Sequence, residues 1–400
     1  MTEKLFDVDS HLTECRAVVR ACAPAEGGFA LLLDRTVLFP EGGGQPSDQG
    51  TVEDANVLFC RAEGDEVVHV VDRPLPVGAA VTVKLDWARR FDFMQQHTGE
   101  HLLSFAFYKL FSAANVGFHL AETYATIDFD KPLDEQQIAE AELLANRFVW
   151  RNLPVTATLY PDEDAVKDLP LRKHAEGLTA PIRIVSIEDA DCCTCCAPHC
   201  GRTGEIGEIF VTDAAAYKGG ARLTFCCGRR ALLHSRRMHE TVDALARRFS
   251  VSRDKAEEAV GKLSSDYAAA RHGEKALTAR LNEYLAVELA GEARAVGKRS
   301  VIVHLFEGME PGRLKDLAQS ASAPERLTAL FSVNGGKLAY VLFAGERFDL
   351  PVSELIAAVN AATGGKGGGR DRLAQGMAGS AAGAKETVEQ LRHYFLQRIK

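Results

Sequence analysis

Two pairs of metal-type side chains, far apart in sequence, constrain this chain more than any other feature. In FDFMQQHTGEHLLSFAFYKLF (91–111), His97 and His101 stand four apart. Apolar residues at Leu102, Phe105, Leu110 and Phe111 recur at helical spacing, so the two imidazoles fall on one face, one turn apart. In DCCTCCAPHCGRTGEIG (191–207), Cys195 and His199 are again four apart, with Cys193 and Cys196 as neighbours. Pro198 disfavours a helix there, which leaves these ligands on a loop ahead of a strand at 208–212. A histidine pair alone recurs by chance, and its bland reading is two residues on a helix surface. Two separated pairs that complete a His3Cys set support one another. Thiolate plus imidazole suits Zn2+ rather than magnesium or calcium. The competing arrangement is a structural zinc held by four cysteines of 192–200 and 226–227.

HTGEH also matches H-x-x-E-H, the inverted zinc-peptidase signature. That chemistry needs Glu100 as general base and a downstream glutamate as third ligand, for which Glu140 and Glu142 are available. It leaves the glycine loop at 41–46, the Cys/His segment and the stretch 364–376 without a role. A redox sensor would compete with metal binding for the same thiols.

Composition narrows the class. The chain has 400 residues, 46% of them hydrophobic and 26% charged, enough for two to four ordinary globular domains. No run of 18 apolar residues occurs and the start carries no signal-peptide pattern, so no membrane partner and a cytoplasmic location are expected. Five of the ten cysteines fall in CCTCCAPHC (192–200), which in such a compartment reads as metal binding or reactive thiols rather than disulfides. A net charge of -8 argues against sequence-independent coating of nucleic acid but allows a local basic patch.

Along the chain, residues 1–89 are β-rich, with strand-like runs at 28–40 and 79–88 around the loop PEGGGQPSDQG (40–50). A helix follows from Arg90, and a second at 134–150 with Asp134 as its N-cap. Strands are expected at 155–160 and 181–187, and a strand pair at 205–228 around a Lys-Gly-Gly turn. Residues 231–295 read as helical throughout. Val260, Leu263, Tyr267, Ala270, Leu277, Leu281 and Tyr284 form a stripe broken by Glu274, which fits a spacer, a dimer seam or a plain amphipathic helix. A strand at 300–306, an Asn-Gly hairpin within 325–344, a helix at 352–362 and a closing helix complete the chain.

EGGGQP (41–46) matches no nucleotide-phosphate loop, but consecutive glycines can offer bare backbone N–H groups to a ligand. In order, FPEGGGQPSDQG, QQHTGEHLLS and CCAPHCGRTGEIG resemble the editing domain of alanyl-tRNA synthetases and of free-standing AlaX proteins. FHLAETYATIDFD (118–130) resembles the segment between the two metal motifs of that family. GGKGGGRDRLAQG (364–376) resembles the glycine-rich terminal domain of the same synthetases, and no D-H-H triplet of a phosphoesterase is present. The whole length is similar to a long-form AlaX protein. Two departures stand out: CCAPH replaces the usual C-G-G-T-H, and Asp371 follows GGGR where proline is common. Neither removes a ligand.

The resemblance implies an α+β fold: a β-barrel-like N-terminal domain (1–89), an α+β zinc editing domain (90–230), a helical coiled-coil-like spacer (231–296) and a C-terminal α/β domain (297–400). It implies hydrolysis in trans of mischarged tRNA(Ala), chiefly Ser-tRNA(Ala), with glycine as the second amino acid. His97, His101, Cys195 and His199 would hold the zinc. Glu100 and Glu122 are the acid–base candidates, Thr98 could meet a serine hydroxyl, and Gly42, Gly43, Gly44 and Gln45 line the substrate. Lys366, Arg370 and Arg372 would hold the acceptor end of the tRNA, with Arg229, Arg230, Arg236 and Arg237 as further cations. A homodimer through the spacer or the C-terminal domain is expected. The alternative from another class is a non-catalytic tRNA-binding module with structural zinc.

Overall fold

A computed structural model describes residues 1–172 and 180–400. The chain forms two compact units, Met1–Arg248 and Phe249–Lys400. The fold is mixed α+β, as the sequence predicts. Among the described residues, no helix is long and apolar enough to cross a membrane.

The first unit opens with a closed six-stranded barrel: β1 (Glu14–Ala25), β2 (Gly28–Leu33), β3 (Gly50–Val52), β4 (Ala55–Glu63), β5 (Glu66–Val71) and β6 (Ala80–Leu85), joined in the order β1-β2-β5-β4-β3-β6. Alternation sends Leu31, Leu33, Val57, Val71, Val81 and Val83 inward, where they are almost wholly buried. The predicted strand at 28–40 stops at Leu33 apart from a two-residue pairing at Arg35–Thr36, and the glycine loop leaves the barrel wall after it.

Asp86 then caps α1 (Trp87–Phe111) by accepting from the Arg89 backbone N–H at 3.1 Å. Strands β7 (Asn115–Leu120) and β8 (Ala125–Phe129) follow, then α2 (Glu135–Arg151). Asp134 caps α2, reciprocated by the Gln137 side chain. Strands β9 (Val155–Tyr160), β10 (Ile182–Ile187) and β11 (Cys192–Thr194) form one antiparallel sheet. Strands β12 (Ile209–Tyr217) and β13 (Gly220–Cys227) complete another, in the order β12-β13-β8-β7. The core of this part gathers Phe93, Leu102, Phe107, Phe129, Phe148, Leu223 and Phe225 around the inner face of α1. The barrel is tied to α1 by a buried ion pair: Arg90 donates to Asp48, and to the carbonyls of Val37 and Ser10 at 2.7 and 2.8 Å.

The helical stretch is not continuous. α3 (Gly228–Phe249) ends where Ser250 adopts a left-handed φ of 55°, a conformation that stops a helix. A 3-10 turn at Arg253–Lys255 precedes α4 (Ala256–Gly291). In the second unit Val260, Leu263, Tyr267, Leu277, Leu281 and Tyr284 are exposed along α4. The unit's sheet runs β14 (Arg294–Val296), β15 (Arg299–Glu307), β16 (Arg326–Asn334), β17 (Lys337–Ala344), β19 (Leu373–Ala378), β18 (Lys366–Arg370). Helices α5 (Pro311–Ser320), α6 (Val352–Thr363) and α7 (Ala384–Arg398) accompany it. The β16–β17 hairpin turns on Gly335 and Gly336, with Asn334 paired to Lys337, one position on from the Asn-Gly turn that the sequence predicts. Both turn glycines have positive φ, as such a two-residue turn requires. The glycine-rich run at 366–376 is an antiparallel hairpin whose strand β18 is the edge of the sheet.

Candidate metal centre

Helix α1 supplies His97 and His101, one turn apart on a buried face. The glycine of HTGEH has a packing reason: a Cβ on Gly99 would lie 2.3 Å from Cys227 Sγ. Glycine there lets α1 lie directly against β13. Gln96 fastens the same contact, donating to the Cys227 carbonyl at 3.1 Å and accepting from its N–H at 2.7 Å. The second ligand pair rides on the non-helical segment after β11, in keeping with Pro198. Arg183 holds that segment by donating from Nη1 to the carbonyls of Cys195 and Ala197, each at 2.8 Å.

These elements bring His97, His101, Cys195 and His199 together, with one ligand atom from each lying within 4.8 Å of the others. Cys195 Sγ is 3.5 Å from His97 Nε2 and 3.2 Å from His199 Nε2. Each ring's outer nitrogen is held by a different segment. His97 Nδ1 donates to Gln45 Oε1 at 2.9 Å, His101 Nδ1 to Asp191 at 2.9 Å, and His199 Nδ1 to Thr98 Oγ1 at 3.1 Å. A proton on Nδ1 leaves the lone pair on Nε2, which is the form a metal takes. Burial holds His199 at about 3, so its ring is neutral at physiological pH. Burial also opposes ionisation of Cys195, but the surrounding His97 and His199 outweigh it and keep that thiol well below its ordinary range. Three imidazole nitrogens and one cysteine sulfur are a donor set that fits zinc.

A second cluster, His101, Asp191 and Cys193, adjoins the first. Arg172 already supplies the cation there. Its Nε and Nη2 donate to Asp191 at 2.6 and 3.1 Å, and Nη2 lies 3.8 Å from Cys193 Sγ. Burial pushes Cys193 up to about 11, so it stays a thiol where Cys195 is a thiolate. This cluster therefore supports His101 rather than forming another ion site. Asp191 and Arg172 escape a motif search, yet a signal was present. Asp191, Cys193 and Cys195 alternate along an extended segment, so they share one face.

The other expected residues separate into groups. Glu100 is buried beside His101: its Oε1 accepts from Ser104 and from Asn115 at 2.6 Å, and its Oε2 lies 3.9 Å from His101 Nε2. Glu122 instead forms an exposed ion pair with Arg89 at 2.6 Å. Thr98 is fully buried, and its hydroxyl oxygen also accepts from the Cys200 N–H at 3.1 Å. The glycine loop closes on itself through reciprocal Gly42–Gln45 backbone bonds at 3.1 and 3.0 Å. It packs tightly: a Cβ on Gly43 would meet Cys196 Sγ at 3.2 Å, and one on Gly44 the Phe118 carbonyl at 2.7 Å. Exposed Gly43, Gly44 and Cys196 border the buried ligands. The peptidase reading loses its third ligand, because Glu142 accepts from the Val211 N–H at 2.6 Å and exposed Glu140 from Gln136 at 3.0 Å. In the second unit Lys366, Arg370 and Arg372 are exposed on the β18–β19 hairpin, and Arg372 pairs with Glu346 at 3.4 Å. Of the α3 arginines, Arg230 is committed to Asp92, while Arg229, Arg236 and Arg237 are exposed.

Residues 182–224, which run from β10 through the Cys/His segment into β13, match the family described as threonyl and alanyl tRNA synthetase second additional domain. The match is to a domain of tRNA synthetases and covers this segment of the chain alone. Its sequence is 33% identical over 273 residues to the alanyl-tRNA editing protein Aarsd1 of Mus musculus, an alignment covering 64% of this chain and 66% of that protein. It is 28% identical over 377 residues to the alanine–tRNA ligase of Pyrococcus abyssi, covering 91% of this chain and 41% of the ligase. The crystal structure of the C-Ala domain of Aquifex aeolicus alanyl-tRNA synthetase matches 25% of this chain and 95% of that domain, at 26% identity and a TM-score of 0.24. In sequence the chain is homologous to alanyl-tRNA editing proteins of the Aarsd1/AlaX type and to alanine–tRNA ligases. The alignments span just under two thirds of the editing relative and less than half of the ligase.

Proposed function

We propose that this chain is a zinc-dependent aminoacyl-tRNA deacylase that clears mischarged tRNA(Ala), chiefly Ser-tRNA(Ala), with Gly-tRNA(Ala) as the second substrate. The observation that carries the reading is the convergence of His97, His101, Cys195 and His199, each imidazole with Nδ1 already bonded and Nε2 left for an ion. Zinc held there would polarise an ester carbonyl or acidify a water. The chain's own groups do the rest. Gln45, Asp191 and Thr98 orient the three rings. Glu100 can take the proton of an attacking water at Oε2, since Ser104 and Asn115 occupy its other oxygen. Lys366 and Arg370, exposed among glycines on an edge hairpin, can meet phosphates of the acceptor end. Discrimination against alanine would follow from a buried polar partner for the serine hydroxyl, which alanine would leave unpaired.

The test is hydrolysis of Ser-tRNA(Ala) against Ala-tRNA(Ala) by the wild type, by Cys195→Ala and by a chelated sample. We expect rapid loss of serine alone. Both treatments should slow it by more than about 100-fold, beyond what loss of an outer-sphere partner alone costs. Tight tRNA binding with neither ester cleaved would replace this reading with a non-catalytic tRNA-binding module.

A further inference from the structure

Gln45 does two things with one amide, and the chain accounts for only one of them. Its Oε1 accepts from His97 Nδ1 at 2.9 Å. Its Nε2 is buried and finds no acceptor among the described residues, although Gln45 as a whole is 1% exposed. The assignment of the two ends follows from chemistry. If His97 offers Nε2 to a metal, its Nδ1 carries the proton and needs an acceptor, so the oxygen of Gln45 must face it. The NH2 end is then a donor by necessity. Leaving such a group buried and unpaired forfeits the hydrogen bonds that water gives it in the unfolded chain. The one other buried side-chain atom left unpaired among the described residues is Nη1 of Arg230, whose Nε and Nη2 are bonded to Asp92.

The backbone holds this donor in place. Gln45 closes a four-residue turn with Gly42, and the Gly44 carbonyl accepts from the Leu120 N–H at 2.8 Å. The same turn presses on Phe118 and on Cys196 at the exposed border of the ligand set. An unpaired N–H held on a tight turn beside a metal-type centre suits an oxygen that gains negative charge during reaction.

We propose that the Gln45 amide N–H donates to the carbonyl oxygen of the bound aminoacyl ester, while its carbonyl orients His97. The substrate group recognised is an acyl carbonyl, whatever the amino acid. The proposal rests on the deacylase reading above and makes Gln45 a contact to the reacting ester as well as a positioning residue for the metal.

Two variants separate the roles. Gln45→Glu keeps an acceptor for His97 and loses the donor; Gln45→Met loses both. Four quantities are read in each: zinc retained against a chelator, kcat and KM for Ser-tRNA(Ala), and binding of a non-hydrolysable 3′-seryl-amido adenosine, whose amide carbonyl keeps the acceptor. We expect Gln45→Glu to hold zinc within about threefold of the wild type, yet to lose roughly 100-fold in kcat and about tenfold in analogue affinity. Gln45→Met should also release zinc about 10–100-fold more readily. Wild-type turnover and analogue binding in Gln45→Glu would mean that the amide serves only a water, and would overturn the proposal with the deacylase reading intact. A wild type that cleaves no ester would remove both.

Discussion

The first unit buries histidines in two places and uses their ring nitrogens differently. In the barrel, His69 is wholly enclosed and both nitrogens are spent on the chain. Its Nε2 accepts from Thr36 Oγ1 at 2.8 Å, and its Nδ1 faces the Leu31 carbonyl at 3.3 Å. At the centre, His97, His101 and His199 are nearly as buried, yet in each Nδ1 alone is tied to a conventional partner. Burial by itself therefore does not mark a ligand. What marks one is a nitrogen the chain leaves over, together with three other such atoms within reach.

That contrast can be broken in three ways. The largest effect concerns acid. Burial lowers His69 from 6.5 to about 4. As pH falls, the unfolded chain takes up its proton first, so the stability from a neutral His69 is complete above 6.5 and is lost between 6.5 and about 4. The loss is on the order of 3 kcal/mol. His69→Gln should remove it: the gap in unfolding free energy between wild type and variant should shrink from pH 7.5 to 4.5, with the metal-site histidines common to both. A gap that does not change with pH would show that His69 is not a buried neutral ring.

Next in size is Thr98→Val, which strips His199 of its Nδ1 acceptor. Zinc should be lost to a chelator about 10–100-fold more readily, with global stability changed far less. Unchanged zinc retention would mean that Thr98 does not orient the ring. The smallest effect is the matching change in the barrel. Thr36→Val deprives His69 Nε2 of its donor, and should lower stability by about 1 kcal/mol. Zinc retention should stay as it is; weaker retention would show that barrel and centre are coupled more closely than their separate cores indicate.

Much of the centre is legible along the chain, because its strongest signals are local. His97 and His101 face one way because helix pitch makes them do so. Asp134 caps α2 because an aspartate there has only nearby N–H groups to serve. The Cys195–His199 pair is non-helical because Pro198 sits inside it. Where local signals conflict, the reading slips: the helical stripe from 231 hides the left-handed Ser250, and the glycines of 364–376 conceal an edge hairpin. Apolar periodicity reports which face is buried and says little about where one residue interrupts it.

Sequence chemistry alone thus settles the types of side chain offered to an ion and the elements that carry them. Only the folded chain decides which outer partner each ring receives. Asp191 reaches His101 across 90 positions, Gln45 reaches His97 across 52 and Thr98 reaches His199 across 101. Such contacts depend on the packing of α1 against β13, on the buried Arg90–Asp48 pair and on Arg183 holding the Cys195 segment. Hydrogen bonds between distant segments have no period along a sequence. They form because a buried polar atom must find whichever partner the packed core has brought within about 3 Å.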